Sequence, residues 1–222
     1  MSQVVTPTGT VYGVLLNFRG EMAAMAAQMT QPPYKAPPKA PVLYIKTANT
    51  WSASGADIPV PLNVAEVEIG ATIAMLIGAP ALQGRSQYAT NVIASYVLMN
   101  DLSLPHASFF RPPVKYKCLD GFLGVGSQRV TPDQAGDPAT FTLEVRVNGE
   151  VRQRVNFANL VRGASQLLTD VSEFMTPRSG DVLMLGCDIG RPLAKVGDRI
   201  DISAPGIPEL GTLFNTLVAE AA

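Results

Sequence analysis

The chain has 222 residues, of which 47% are hydrophobic and 16% are charged, and its formal net charge is −1. This length suits either one domain or two, and the composition permits a large buried core. A net charge near zero, without a basic block, argues against nucleic acid or an anionic membrane as the main partner.

Targeting and redox features predict a cytoplasmic protein. Every apolar run is shorter than the roughly 20 residues that a membrane span needs. The N-terminus, Met1-Ser2-Gln3, has no basic segment followed by an apolar one, so no secretory signal is expected. Cys118 and Cys187 lack the spacing of metal ligands, and we expect two reduced thiols.

The first part of the chain predicts two strands, a helix and a loop. The β-branched, apolar segment 10–17 predicts a strand, and the Ala- and Met-rich segment 21–29 predicts a short helix. Residues 32–41, P-P-Y-K-A-P-P-K-A-P, predict an irregular loop, because proline disrupts helices and central strands. This loop could cover a pocket as a lid or simply connect its neighbours. Val42–Lys46 predicts the next strand.

The middle of the chain predicts a strand that ends in a carboxylate. Segments 67–69 and 72–77 predict strands, and segment 87–94 predicts a short helix. The apolar run Tyr96–Met99 then predicts a strand that delivers Asn100-Asp101 at its end.

The last third of the chain predicts a hairpin, a helix and further strands. Strict alternation over 141–147, the turn Asn148-Gly149 and the return over 150–155 predict a tight β-hairpin. Apolar residues at helical spacing predict an amphipathic helix within 160–174. Three further segments predict strands: 182–186, 199–203 and 210–218.

The order of these elements predicts one α+β domain over residues 1–222. Strands outnumber helices and do not alternate with them regularly, which argues against a doubly wound parallel sheet. We expect a mixed, mostly antiparallel β-roll with a few short helices. Within it we expect a looser N-terminal lobe over 1–60, which contains the proline-rich loop, and a β-roll core over 61–222.

The stretch 96–126 combines a strand-end acid with several cations. Asp101 ends the strand, Arg111, Lys115 and Lys117 follow in a proline-bounded loop, and Asp120 comes next. A strand-end carboxylate can bind a divalent cation, and the cations can hold an anionic substrate. The alternative interpretation is an ordinary solvated loop.

Two further carboxylates, Glu66 and Glu68, form an E-x-E pair. Residues i and i+2 of a strand point to the same side, so the pair could share a magnesium or calcium ion with Asp101. The sequence has no phosphate-binding loop and no serine-hydrolase elbow.

Several collinear motifs resemble the fumarylacetoacetate hydrolase superfamily. They are V-L-L-N-F-R at 14–19, Y-I-K at 44–46, L-M-N-D-L-S at 98–103, K-x-x-D-G-F at 117–122, V-N-G-E at 147–150 and S-E-F-M-T-x-x-S-G-D-V-L at 172–183. The resemblance covers nearly the whole chain. It implies a mixed β-roll, a magnesium or similar divalent cation, and chemistry that passes through an enolate.

Two stretches resemble one branch of this family, the isomerase/decarboxylases of 4-hydroxyphenylacetate (homoprotocatechuate) catabolism. They are P-Y-K-A-P-P-K at 33–39 and D-L-S-L-P-H-A-S-F-F-R-P at 101–112. The resemblance implies a subunit that acts on 5-oxopent-3-ene-1,2,5-tricarboxylate and 2-hydroxyhepta-2,4-dienedioate. Its alternatives are a non-catalytic partner of a metal-competent paralogue and an acylpyruvate-type hydrolase.

The resemblance assigns roles to individual positions. Asp101 falls on the family's metal-binding aspartate, and Lys117 and Lys46 fall on two family lysines, so these three are the expected catalytic residues. The family's two metal-binding glutamates fall on Gly70 and Thr72 instead of Glu66 and Glu68. Any metal would therefore rest on Asp101 with Thr72, which implies weak or absent binding of the cation.

The remaining expectations concern the substrate and the partners. Asn17, Arg111, Lys115 and Asp120 are expected to bind a keto or enol di- or tricarboxylate. The hydrolases of the family carry a His–Glu pair where this chain has Glu21 and Ala24, so C–C bond hydrolysis is disfavoured. The resemblance also implies a homodimer, or a heteromer with a metal-competent family subunit.

Overall fold

The structure, a computed structural model, describes residues 7–81, 92–106, 108 and 110–221. The helices within this part of the chain are short: α1 (Arg19–Met29), α2 (Val114–Lys117), α3 (Pro132–Ala135) and α4 (Ala164–Ser172). None of the helices among these residues is long and apolar enough to cross a membrane.

Strands dominate the described residues and form three sheets. The seven-stranded sheet, in spatial order, contains β2 (Val42–Lys46), β1 (Val11–Leu15), β11 (Val182–Met184), β6 (Ala71–Ile77), β7 (Ile93–Asp101), β8 (Leu123–Val130) and β3 (Trp51–Ala53). The five-stranded sheet contains β10 (Glu150–Asn156), β9 (Thr142–Val147), β13 (Arg199–Ser203), β14 (Thr212–Ala219) and β4 (Asp57–Val60). A small pair joins β12 (Leu193–Ala194) to β5 (Val67–Glu68).

The α+β class predicted from the sequence is confirmed. Most strand pairs are antiparallel, and the parallel pairs are β1 with β11, β3 with β8, and β4 with β14. Apolar side chains of both large sheets share one core with the buried face of α4. That face consists of Leu167, Leu168 and Val171, which recur at helical spacing.

Most predicted elements match the structure, and the hairpin matches most closely. Its turn places Asn148 at φ 52° and Gly149 at φ 84°, as a type I′ turn requires. The predicted helix over 87–94 can be compared only in part, because residues 87–91 lie outside the described residues. The prediction extends too far at its end, since Ile93 already belongs to β7. Strand β8 was missed because its sequence begins L-G-V-G, and glycine weakens the strand pattern.

The predicted looser lobe over residues 1–60 is not seen in the described residues. Strands β1, β2 and β3 belong to the seven-stranded sheet, and β4 pairs with β14 of the other large sheet. Their hydrogen bonds therefore reach across the sequence into the β-roll. The strands within residues 11–60 therefore belong to the same two large sheets as the rest of the described chain.

One close approach within this sheet positions a functional side chain. Gly13 of β1 is paired with Tyr44 of β2, and the tyrosine ring lies where a Cβ on residue 13 would be. The missing side chain lets the ring cross β1 and reach the end of β7. A glycine in the middle of a strand is otherwise unfavourable, so its place here has a packing reason.

We expect Gly13→Ala to lower the free energy of unfolding by about 1–3 kcal/mol, because the added methyl group overpacks against the Tyr44 ring. Urea denaturation measures the change. Gly206→Ala is the matched control, since a Cβ there meets no atom within 4 Å. Equal midpoints for the two variants would contradict this account of Gly13.

Candidate active site

A buried carboxylate between two ammonium groups is the centre of the candidate site. Asp101, the last residue of β7, is 1% exposed, and so are Lys46 and Lys117. The Nζ of Lys117 lies 2.6 Å from Oδ2 of Asp101, and the Nζ of Lys46 lies 3.1 Å from Oδ1. The structure thus brings together the three residues that the sequence predicted as catalytic.

Lys46 serves mainly as a cross-link between segments. Its Nζ donates to the carbonyls of Leu102 at 3.1 Å, Phe122 at 2.7 Å and Lys117. An ammonium group has three protons, so these carbonyls accept all of them. The charge of Lys46 still attracts Asp101, but Oδ1 of Asp101 receives no hydrogen bond.

Tyr44 is a member of this cluster that the sequence reasoning missed. Its hydroxyl donates to Oδ2 of Asp101, and the Lys117 ammonium lies 4.8 Å from the centre of its ring. Burial and the charge of Asp101 raise the pKa of Tyr44 well above its ordinary value, so the phenol remains a donor. The signal was present: residues i and i+2 of a strand share a face, as Tyr44 and Lys46 do.

The surroundings of Asp101 keep it ionised. Burial by itself would raise the pKa of this carboxyl group. The charges of Lys117 and Lys46, with hydrogen bonds from Lys117 and Tyr44, outweigh burial and hold the pKa below its ordinary range. Asp101 is therefore a carboxylate at neutral pH, and its charge is compensated inside the protein.

A second, partly buried cluster surrounds Arg191. One of its guanidinium nitrogens, Nη2, pairs with Oε1 of Glu21, and Nη1 lies 3.4 Å from Oε2 of Glu68. Glu21 also accepts from the Leu16 N–H at 3.0 Å, and the Ser103 hydroxyl donates to Glu68 at 3.2 Å. Burial raises the pKa of Glu21, although Arg191 opposes this shift. The sequence reasoning did not identify Arg191.

The Arg191 cluster borders a cleft of about 220 Å³. The cleft is lined by polar and apolar residues from α1, β5 and two loops: Glu21, Ala24, Met25, Glu68, His106, Ile189, Gly190 and Arg191. Glu21 and Ala24 occupy the positions where the resemblance places a His–Glu pair. The cleft therefore presents an ion pair where a hydrolase of this family would present a base.

The donor atoms at the predicted metal position do not fit a divalent cation. A Cβ on Gly70 would collide with the carbonyl oxygen of Asp101 and lie 3.1 Å from Sγ of Cys187, so no ligand side chain fits there. The Thr72 hydroxyl donates to Gly186 O at 2.6 Å. Among the described residues, no group of three or more His, Cys, Asp or Glu side chains could hold a metal ion.

The other predicted ligands do not assemble a metal site either. Glu66 is exposed, and Glu68 is engaged by Arg191 and Ser103. Both oxygens of Asp101 already face lysine ammonium groups. We therefore derive no step of the chemistry through a metal bound to this chain.

The predicted substrate-binding residues lie apart from Asp101 or are already engaged. Asn17 is buried, donates to Leu185 O at 2.8 Å and accepts from the Arg162 N–H at 3.0 Å, so it fastens two loops together. Three other predicted residues are exposed and are not brought to Asp101: Arg111, Lys115 and Asp120. The geometry gives no support to a substrate role for these four residues.

Together the two buried clusters are electrically balanced. Three carboxylates face three cations, namely Asp101, Glu21 and Glu68 with Lys46, Lys117 and Arg191. An incoming di- or tricarboxylate would meet a neutral, hydrogen-bonded wall. Buried ion pairs of this kind are stable only while every partner remains in place.

Comparison with known proteins places the chain in a family. The family described as "Fumarylacetoacetate (FAA) hydrolase C-terminal" matches residues 10–218. The chain is 41% identical over 212 residues to the 4-hydroxyphenylacetate degradation bifunctional isomerase/decarboxylase of Salmonella dublin, which covers 96% of this chain and 48% of that protein. The chain thus spans about half the length of this curated relative.

Solved structures show the same fold. The 5-carboxymethyl-2-hydroxymuconate delta-isomerase of Mycobacterium smegmatis has a TM-score of 0.79 at 26% identity, covering 100% of this chain and 82% of that chain. A maleylpyruvate hydrolase of Sphingobium sp. SYK-6 has a TM-score of 0.75 at 22% identity, covering 96% of this chain and 71% of that one. That hydrolase was solved in complex with manganese(II) and pyruvate.

We expect Asp101→Asn to lower the free energy of unfolding by roughly 3–5 kcal/mol at neutral pH, because it leaves two buried ammonium groups without their counter-charge. Urea denaturation measures the loss. Asp120→Asn is the control, since Asp120 is an exposed aspartate whose side chain bonds Asn49 at 2.6 Å. Equal effects of the two substitutions would contradict the central role of Asp101.

The cost of Asp101→Asn is expected to depend on pH. A carboxyl group whose folded pKa is depressed stabilises the fold above its unfolded pKa, about 3.9 for Asp, and loses that contribution as the pH falls towards the folded pKa. The difference in unfolding free energy between the wild type and Asp101→Asn should be constant near neutral pH and shrink below about pH 4. A difference that stays constant down to about pH 3 would show that Asp101 has no depressed pKa.

Proposed function

The chain belongs to the fumarylacetoacetate hydrolase family, and on that premise we propose that it is one domain of an isomerase/decarboxylase of aromatic-compound catabolism. The proposed substrates are 5-oxopent-3-ene-1,2,5-tricarboxylate and 2-hydroxyhepta-2,4-dienedioate. The similarity to the Salmonella dublin relative across nearly the whole chain supports this assignment. The cytoplasm remains the predicted location.

The observation that carries the proposal is that Asp101 already has partners within the protein for both carboxylate oxygens. Both of its oxygens face ammonium groups, one also accepts from a phenol, and the neighbouring Gly70 has no room for a side chain. Both proposed reactions build negative charge on an enolate, which needs an accessible positive group. The ammonium groups of Lys46 and Lys117 are buried and already neutralised by Asp101.

We therefore assign the metal-assisted step to a companion domain. By companion domain we mean a second, metal-competent family domain, corresponding to the part of the Salmonella dublin relative that this chain does not match. The present chain would support that domain within the enzyme. The acylpyruvate-type hydrolase alternative is not favoured, because an ion pair of Glu21 with Arg191 stands where its base would be.

A second candidate is turnover by the chain itself. Its support is the retained cluster of Lys46, Asp101 and Lys117, in which Lys117 shares Asp101 with Lys46. If Asp101 were drawn away by a substrate or a proton, Lys117 would present a free ammonium group to an enolate. This candidate needs the cluster to open.

Decarboxylation of the tricarboxylate distinguishes the two candidates. We expect no turnover by the chain alone, with or without Mg²⁺ or Mn²⁺, and turnover when the companion domain is added. Lys117→Met should change activity in the mixture only as far as it unfolds the chain, which circular dichroism reports. Lys195→Met replaces an exposed lysine that follows β12 and serves as the control.

Turnover by the chain alone that is lost in Lys117→Met and kept in Lys195→Met would establish the second candidate. Absence of turnover in every mixture, with both chains folded, would reject the proposed reaction itself.

A further inference from the structure

Glu68 lies on the same face of the sheet as the expected metal position. Segment 67–72 runs antiparallel to segment 100–103, in a register that places Glu68 opposite Ser103. Residues i and i+2 of an extended segment share a face, so Glu68 projects on the same side as the missing side chain of Gly70. A group that binds Glu68 is therefore next to the position where the family resemblance places a metal.

Arg191 brings a permanent positive charge to this face. Its guanidinium group bridges two carboxylates, since Nη2 pairs with Oε1 of Glu21 and Nη1 lies 3.4 Å from Oε2 of Glu68. Its Nε donates to the carbonyl oxygen of Asp188 at 3.3 Å, and the side chain is 11% exposed. A guanidinium group keeps its proton in proteins, so the bridge stays charged throughout the ordinary pH range.

This bridge supplies the charge that a divalent cation would supply. Two carboxylates on one cleft repel each other unless a cation lies between them, and the arginine provides that cation as part of the chain. An ion from solution would have to displace the guanidinium group from Glu21 and Glu68, and it would meet a like charge nearby. Because Arg191 belongs to the chain, dilution does not remove it from this competition.

We propose that Arg191 is a built-in replacement for a divalent cation, and that its ion pairs with Glu21 and Glu68 keep the cleft free of metal. The engaged or absent side chains at Gly70 and Thr72 explain why a metal would gain few ligands here. Arg191 explains how the remaining carboxylates are stable without one. The inference does not rest on the proposed reaction, because cation binding and folding are measured without substrate.

Removal of the arginine should convert the cleft into a weak cation site. In Arg191→Met the two carboxylates would lack their counter-charge, and the cleft of about 220 Å³ has room for an ion with several water ligands. Titration of Mn²⁺, followed by electron paramagnetic resonance of the free ion, measures the affinity. We expect a dissociation constant of about 1 mM or tighter for Arg191→Met, and binding at least about tenfold weaker for the wild type.

Three further variants separate charge from space and locate the ligands. Arg191→Lys keeps a positive charge in a different side chain, so it should bind Mn²⁺ as weakly as the wild type. Arg191→Met combined with Glu68→Gln should lose most of the affinity that Arg191→Met gains. Arg199→Met is the matched control, because this arginine is 52% exposed and pairs with Asp201 at 3.0 Å at the surface. Its removal should create no cation site.

The same ion provides a second measurement if Arg191→Met is unstable. An ion that binds only the folded state stabilises that state by mass action. Mn²⁺ at about 10 mM should therefore raise the thermal unfolding midpoint of Arg191→Met, or restore its circular dichroism spectrum if the variant is unfolded. The midpoint of the wild type should not change.

Three results would overturn the proposal. The first is a wild-type chain that binds Mn²⁺ as tightly as Arg191→Met does. The second is an Arg191→Met variant that gains no affinity, keeps its gain after Glu68→Gln, or stays unfolded at about 10 mM Mn²⁺. The third is an equal gain in Arg191→Lys, which would mean that the space filled by the guanidinium group, and not its charge, excludes the metal. None of these measurements involves turnover, so they do not decide the proposed reaction.

Discussion

Two lysines buried in one protein interior need a counter-charge, and Asp101 supplies it. An ammonium group without a partner is among the most costly things a protein can bury. Lys46 and Lys117 are both 1% exposed, and one carboxylate lies between them. The end of β2, the end of β7 and the α2 segment meet at this point. Tyr44 donates a hydrogen bond to the same carboxylate, and its ring can reach Asp101 because Gly13 has no side chain.

The same compensation limits what the cluster can do chemically. An ion pair that satisfies itself has little left for a ligand, and the Arg191 cluster repeats this pattern with Glu21 and Glu68. Family membership and local chemistry therefore carry different information. The family indicates the class of reaction, whereas Gly70, Thr72 and Asp101 show only that a set of metal-ligating side chains is missing from this position. This missing ligand set supports the proposal that a companion domain carries the metal-assisted step.

Strand β2 connects the interior to the surface. Its alternation sends Tyr44 and Lys46 to Asp101 and sends Ile45 outward to a groove of about 520 Å³, which Phe110 and Val114 also line. Tyr44 and Lys46 thereby connect the edge of the seven-stranded sheet to the end of β7.

Local patterns in the sequence were enough to predict most strands, the helices α1 and α4, the hairpin turn and the α+β class. The family resemblance predicted that Asp101 acts together with two lysines. They could not place Tyr44 or Arg191, because their partners lie 57 and 170 residues away along the chain. Nor could they show that the charged loop turns Lys117 inward and leaves its neighbours in solvent. Alternation and periodicity specify which face of an element is buried. Which distant groups share that buried space is decided only when the sheets close and every buried charge must find its partner.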